Sequence, residues 1–376
     1  MSIMDVPLAR PDLGADEELA VVEVLRSGWV SEGPAVSSFE QAFADLVGTR
    51  HAVALNSCTS ALFLALRASK VRGEVLVPSF TWAATANAIV SAGATPVWVD
   101  IEGESFGMDP DDARAKLSPR TEAIVCVHFA GHPCGVAELA LLAEKHSLLL
   151  IEDAAQTLGG RAGGQTAGSF GVGCFSFFAT KAITTGDGGM ITTDDAELAT
   201  AVRRSSRHGV DRGRDPWHRE AVTEGFNMRM PSVLAALGHA QLQRLDDLNY
   251  RRRKAARVLT RYLHPYAESI SPPVEKCGFH HVYQMYVGTV ARDLPRDEVV
   301  LGLRKRGIEA SVHFSPPVHR HAWYRPRRLR GAESLPVTDE ASRRIVTLPL
   351  HPGISDRELQ AVRAAMGNVL KELDAR

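Results

Sequence analysis

An α/β fold is predicted by three features of the sequence. Short runs are apolar without alternation, helix-compatible stretches separate nearly all of them, and the pattern changes near residue 250. Strands that are apolar at every position are buried on both faces, the condition of a mostly parallel sheet covered by helices. The expected architecture is a large domain over residues 1–249 and a smaller α+β domain over 250–376. The length of 376 residues agrees, since roughly 150 residues per domain gives two or three domains.

In chain order, Asp16–Ser27 and Val36–Val47 read as amphipathic helices closed by Gly28 and Gly48. AVAL (52–55) is a strand, and Thr59–Ala68 is a helix entered through a polar turn. EVLV (74–77), TPVWV (95–99), AIVCV (123–127) and LLLIE (148–152) are the apolar runs. Ala83–Ala92, Pro110–Leu117 and Val136–His146 are the helices between them, which implies right-handed crossovers. A Gly-rich excursion (Gly160–Gly173) precedes the apolar run CFSFF (174–178). Leu234 to about Tyr266 reads as one long, charge-laced helix, and Ser271–Cys277 as a linker. A strand (His281–Val290), a helix (Arg296–Arg306), a Pro/His-rich loop (His313–His321) and a last helix (Asp356–Leu373) follow.

Composition excludes several functions. With 43 Lys+Arg against 44 Asp+Glu the formal charge is −1, which lacks the basic footprint of a nucleic-acid binder. The clusters Arg251–Lys254 and Arg325–Arg330 are short and read as a solvated helix face and a loop. Five cysteines, an odd number without a CxxC pair, argue against a disulfide framework or zinc site and for a reducing cytoplasm. The N-terminal run MSIMDVPLARPDLGADEE has no apolar leader core. Val75–Val99 carries no Asp, Glu, Lys or Arg, but Pro78, Asn87, Gly93 and Pro96 break it into core elements, so no membrane span is expected. His128, His132, His146 and His208 show no metal-ligand spacing, and no metal is expected.

Four polar signals sit where strands end, the place where open α/β sheets bind ligands. Asn56–Ser60 follows a strand and opens a helix, so its amides suit an anion or simply cap the helix. Asp153, in LLLIEDAAQ, is a carboxylate at a buried strand end and needs a cationic partner, whether a ligand or a structural arginine. Lys181 lies in CFSFFATKAITTGDGG, where desolvation favours a neutral, nucleophilic amine over a snorkelling surface lysine. Trp82, in VPSFTWAATANA, is a core residue or an aromatic plate beside the other three. Together they are the parts that hold pyridoxal phosphate: phosphate cradle, carboxylate for the ring nitrogen, plate and lysine.

EDAAQTLGG, GCFSFFATKAITTGDGG, VPSFTWAATANA, GFNMRMPSVLAALG and LPLHPGIS resemble, in order along nearly the whole chain, the DegT-type (StrS-like) sugar aminotransferases of pyridoxal-phosphate fold type I. The resemblance implies that Lys181 condenses with the cofactor aldehyde and later shuttles a proton, and that Asp153 pairs with the ring nitrogen. It implies that Trp82 and Ala155 cover the two ring faces, with Gln156 at the phenolic oxygen. Ser176 and the amides of Cys58 and Thr59 would hold the phosphate. Asn227 matches a residue that reaches the neighbouring subunit's phosphate, which implies a homodimer with shared sites. His313 and Arg229 are substrate candidates, Arg229 for the donor carboxylate. Cys58 stands for a frequent Gly, Ala182 for a frequent Asn and Asp187 for a frequent Glu; none removes a needed group.

Relatives with His at the lysine position are dehydratases, so Lys181 implies transamination. The segment KAITTGDGG is similar to that of members acting at carbon 4 of a 4-keto-6-deoxy sugar. The expected reaction moves an amino group from an amino acid, glutamate by analogy, to a nucleotide-linked keto sugar, dTDP-linked, by way of pyridoxamine phosphate. A carbon 3 sugar or a scyllo-inosose-type cyclitol is the alternative acceptor. An idle pyridoxal-binding regulatory protein is the alternative from another class.

Overall fold

The computed structural model describes residues 5–212, 215 and 217–375. The first four residues of the N-terminal run, and Arg376 at the end of the expected second domain, lie outside them. Two helices lead the chain, α1 (Ala15–Ser27) and α2 (Pro34–Val47), and both end on the expected glycines in left-handed conformation, with φ of 77° at Gly28 and 84° at Gly48. Strand and helix then alternate: β1 (His51–Leu55), α3 (Cys58–Ala68), β2 (Glu74–Pro78), α4 (Ala83–Ser91), β3 (Thr95–Val99), α5 (Pro110–Ala115), β4 (Thr121–Val127), α6 (Val136–Lys145) and β5 (Leu149–Asp153). A hairpin of β6 (Arg161–Ala162) and β7 (Gln165–Thr166) carries the Gly-rich excursion, before β8 (Val172–Ser176) and β9 (Gly189–Thr193).

These strands form one seven-stranded sheet in the order β1-β9-β8-β5-β4-β2-β3. All neighbours run parallel except β9, which is antiparallel to both β8 and β1. The register sets Cys126 opposite Glu152 and Val127 opposite Asp153, so β4 and β5 end together. Apolar side chains fill both faces, as strands without alternation require. On one face Phe39 and Phe43 of α2 meet Phe177 and Phe175, with ring centroids 5.2 and 4.9 Å apart.

The next elements are α7 (Ala196–Ser205), the short hairpin β10 (Val210–Arg212) and β11 (Arg219–Ala221), α8 (Ser232–Gln243) and α9 (Leu245–Leu263). The single long helix expected from Leu234 is thus two, divided at Arg244. The Arg244 guanidinium is held by Asp12 and Glu17, an anchor contributed by the far N-terminal segment and invisible to local pattern. The expected solvated face at Arg251–Lys254 is also corrected, because Arg252 is only 4% exposed.

The chain closes with β12 (Ile270–Ser271), β13 (Phe279–His280), β14 (Tyr286–Val290), α10 (Arg296–Lys305), α11 (Pro336–Arg344), β15 (Ile345–Leu348) and α12 (Asp356–Asp374). β12, β14 and β15 make a three-stranded sheet, while β13 joins the β6–β7 hairpin. The strand expected from His281 starts only at Tyr286. Before it the chain turns, with Tyr283 at φ 51° and its ring stacked on His281. Among the described residues no helix is long and apolar enough to cross a membrane.

Candidate active site

The carboxyl ends of β1, β2, β4, β5 and β8 open onto one cavity of about 470 Å³. Cys58, Thr59, Trp82, Asp153, Ala155, Gln156, Ser176, Lys181 and His313 all line it, so nine side chains chosen from sequence meet there. Asn227 and Arg229 do not. Arg229 donates to the Asn227 amide oxygen at 3.2 Å and pairs with Glu32 at 3.5 Å, beside the N-terminal end of α2.

Asp153 is the last residue of β5 and is 6% exposed. Its Oδ2 accepts from the Thr85 hydroxyl at 2.7 Å, and its Oδ1 from the Ala155 amide at 3.2 Å. The Thr81 hydroxyl, just before α4, lies 2.9 Å from that of Thr85 in its first turn. Because Thr85 spends its hydrogen on Asp153, Thr81 is the donor of that pair, and the two threonines form a directed chain. Burial pushes the Asp153 carboxyl up, while the Thr85 hydroxyl, the Ala155 amide and the charge of Lys181 pull it down. No arginine bonds to Asp153 among the described residues, so the structural partner left open by the sequence is not there. A buried carboxylate in this state suits a cationic ligand atom.

Lys181 follows β8 in a tight turn, its amide donating to the Phe178 carbonyl at 2.9 Å. Burial pushes its amine below the usual lysine range, and Asp153 offsets part of that. The buried Arg252 of α9 donates to the carbonyls of Lys181 at 3.1 Å and Ala182 at 3.2 Å, fixing the turn from behind. Thr85 and Arg252 are the two supporting residues that sequence reasoning missed. Thr85 had a signal in the Thr81/Thr85 spacing within VPSFTWAATANA; Arg252, inside a run of four cations, had none.

At the end of β1, Ser57 caps α3 by accepting from the Ser60 amide at 3.1 Å. The Cys58 and Thr59 amides that follow belong to the first turn of α3, whose N–H groups have no partner within the helix. β9 passes directly beneath this turn. A Cβ on Gly189 would lie 2.3 Å from the Ser57 carbonyl carbon and 2.5 Å from the Cys58 nitrogen, so only glycine fits. This is a cradle of backbone donors at a helix N-terminus, suited to a phosphate. Ser176, at the end of β8, completes its rim. Trp82 stands 65% exposed at the mouth, its ring centroid 6.1 Å from that of Phe314.

Distant segments add apolar lining at Leu8, Met285, Phe314, Leu348 and Leu350, beside the polar Gln284 and Thr347. Leu8 is tied there by its carbonyl, which accepts from the Leu350 amide at 3.2 Å. His313 bonds the Thr347 hydroxyl at 2.9 Å. Burial, followed by the charge of Lys181, lowers the His313 imidazole to about 4, so it is neutral at pH 7.

Residues 11–367 match the model of the DegT/DnrJ/EryC1/StrS aminotransferase family. The chain is 38% identical, over 98% of its own length and 98% of the relative's, to the spore coat polysaccharide biosynthesis protein SpsC of Bacillus subtilis. Spr1654 of Streptococcus pneumoniae superposes with TM-score 0.93 in its PMP form and 0.91 in its PLP form, at 28% and 29% identity. Those superpositions cover 98% of this chain and 100% and 99% of that one. Helicobacter pylori PseC, an aminotransferase involved in the biosynthesis of pseudoaminic acid, matches at TM-score 0.91 and 28% identity over 99% of this chain and 100% of that one.

Proposed function

The chain belongs to the DegT/DnrJ/EryC1/StrS aminotransferase family and is a pyridoxal-phosphate-dependent sugar aminotransferase; from that premise we propose that it transfers the amino group of glutamate to carbon 4 of a dTDP-linked 4-keto-6-deoxyhexose. When bound, pyridoxal phosphate supplies the electron sink that lets an amino-acid carbon lose its proton. The chain's own residues do the rest. The turn at Cys58 and Thr59, with Ser176, would hold the phosphate. Asp153, aligned by Thr85, would hold a proton at the ring nitrogen. Trp82 and Ala155 would cover the ring faces, and Gln156, anchored by the Ala130 amide at 2.7 Å, would face the phenolic oxygen. Lys181, kept toward its neutral form by burial, takes the proton from the donor carbon and delivers it to the other end of the transfer.

One observation carries the choice of a 6-deoxy sugar. The lining away from Asp153 and Lys181 is apolar at Leu8, Met285, Phe314, Leu348 and Leu350, a surface that favours a methyl over a hydroxymethyl. The test is spectroscopic. With pyridoxamine phosphate loaded, a dTDP-4-keto-6-deoxyhexose restores the long-wavelength cofactor absorbance. The analogue bearing a 6-hydroxyl reacts up to about 100-fold more slowly, the limit for an apolar pocket rejecting an added hydroxyl. Recovery of the band with a 3-keto sugar nucleotide or scyllo-inosose, and not with the 4-keto sugar, overturns the assignment.

The site is read as shared between two copies of the chain. Asn227 and Arg229 lie away from their own cavity, which supports the reading that they serve a partner's phosphate or donor carboxylate. Nearby, α1 exposes Leu19 and Leu25, and the turn after it Trp29, an apolar stripe of the kind that marks a subunit interface. Four of the five free cysteines are buried, in keeping with a reducing, cytoplasmic setting.

A further inference from the structure

Behind the wall that presents Asp153, one cluster takes no part in the reading above. Cys126 lies on β4, His128 directly after it, and Cys134 beyond the turn that follows. All three are fully buried, and one ligand atom from each lies within 4.8 Å of the others. We propose that Cys126, His128 and Cys134 form a binding site for a thiophilic d¹⁰ cation, Zn(II) or Cu(I), that is distinct from the cofactor site.

Three features favour a site over a chance meeting of core residues. Two thiols and an imidazole are the donor set that soft and borderline cations select. The His128 ring is also oriented as in metal sites, where the non-ligating nitrogen donates to a carboxylate. His128 Nε2 lies 3.0 Å from Glu152 Oε2. Glu152 is itself locked by amides of Gly168 at 2.7 Å, Phe170 at 2.8 Å and Gly171 at 3.0 Å, so it is an acceptor fixed in place. Nδ1 then carries the lone pair on the side of the cysteines. At present it accepts from the Cys134 amide at 3.1 Å, and coordination takes the place of that bond. Charge supplies the third feature. Binding sends the two thiol protons to solvent; Zn(II) balances both resulting thiolates and keeps the cluster uncharged beside the Glu152 and Asp153 carboxylates, whereas Cu(I) leaves one negative charge there.

The register ties the cluster to the active site, since Cys126 faces Glu152 and Val127 faces Asp153. An ion here ties the end of β4 to the segment that carries Cys134, and reaches β5, from which Asp153 projects, through the His128–Glu152 bond.

The test uses untagged holoenzyme carrying Cys277→Ser, which removes the exposed thiol, produced in zinc- or copper-supplemented medium. Elemental analysis is expected to find about one Zn or one Cu per chain, and which medium loads the protein identifies the ion. Where the site is empty on purification, Cd(II) titration is expected to raise a thiolate charge-transfer band that saturates at about one equivalent. Both signals vanish in Cys126→Ser and Cys134→Ser variants that still bind pyridoxal phosphate. Protein that retains no ion and shows no band overturns the proposal whether or not those variants fold. So does a band that persists in them.

Discussion

Around Asp153 and Lys181 the cavity is held by directed hydrogen bonds: Thr81 to Thr85 to Asp153, Ala155 to Asp153, and Arg252 to the carbonyls of Lys181 and Ala182. Around Leu8, Met285, Phe314, Leu348 and Leu350 it is held by packing of segments brought from both ends of the chain. The first region constrains angles and protonation states. The second constrains only shape and polarity. Chemistry that must be the same for every substrate belongs in the first, and discrimination between substrates in the second, because hydrogen-bond networks tolerate little change while apolar surfaces tolerate substitution.

The largest effect expected from this division is at Lys181. Lys181→Ala removes the amine that moves the proton, and turnover should fall by roughly 10⁴-fold or more, with loss of the cofactor's covalent absorbance signature. Keto-acid release from glutamate measures it. Activity within about tenfold of the parent would break the comparison at its centre, since the polar region would then not carry the chemistry.

A middle-sized effect is expected one residue removed. Thr85→Val keeps the shape of the side chain but leaves Asp153 Oδ2 without its 2.7 Å donor. Leaving a buried acceptor unpaired costs about 1–3 kcal/mol, so turnover should drop roughly tenfold, with Thr85→Ser restoring most of it. The discriminating readout is the pH dependence of cofactor absorbance. A positioning role for Thr85 shifts it by changing the hold of Asp153 on the ring nitrogen, whereas a packing defect lowers only thermal stability.

Much of the polar region was legible in the sequence because its residues fall at strand ends in short, distinctive strings. Asp153 follows LLLIE directly, and Lys181 and the Cys58–Thr59 turn stand within three residues of an apolar run, while Ser176, inside CFSFF, came through the family resemblance; a strand end in a parallel sheet already specifies where a side chain points. The apolar wall was not legible. Leu8 precedes the first helix and Leu350 follows the last strand, and nothing local in LPLHPGIS shows that its Leu350 amide meets the carbonyl of Leu8. The same reason explains the errors in the fold. β9 is hidden because GMITT pairs antiparallel within a sheet expected to be parallel. The break at Arg244 depends on Asp12 and Glu17, more than two hundred residues away. Arg252 reads as surface charge until its carbonyl partners are seen.

The smallest expected effect concerns His313, where the two regions touch. Burial holds its folded pKa near 4, below the ordinary histidine value of 6.5, so the native state binds fewer protons than the unfolded state between those values. Stability from this group is therefore present in full above pH 6.5, and is lost as pH falls toward 4. His351, likewise lowered to about 4 by burial, adds a slope of the same sign in the same window. The melting temperature should thus decline between pH 6.5 and 4, and His313→Asn should flatten that decline while leaving the value at pH 8 nearly unchanged. Catalysis gives the opposite contrast. Because His313 stays neutral throughout pH 6–8, its protonation contributes no limb to the rate profile there. A rate limb between pH 6 and 8 that disappears in His313→Asn would place this histidine among the groups that move protons, and would extend the polar region across the boundary drawn between the two.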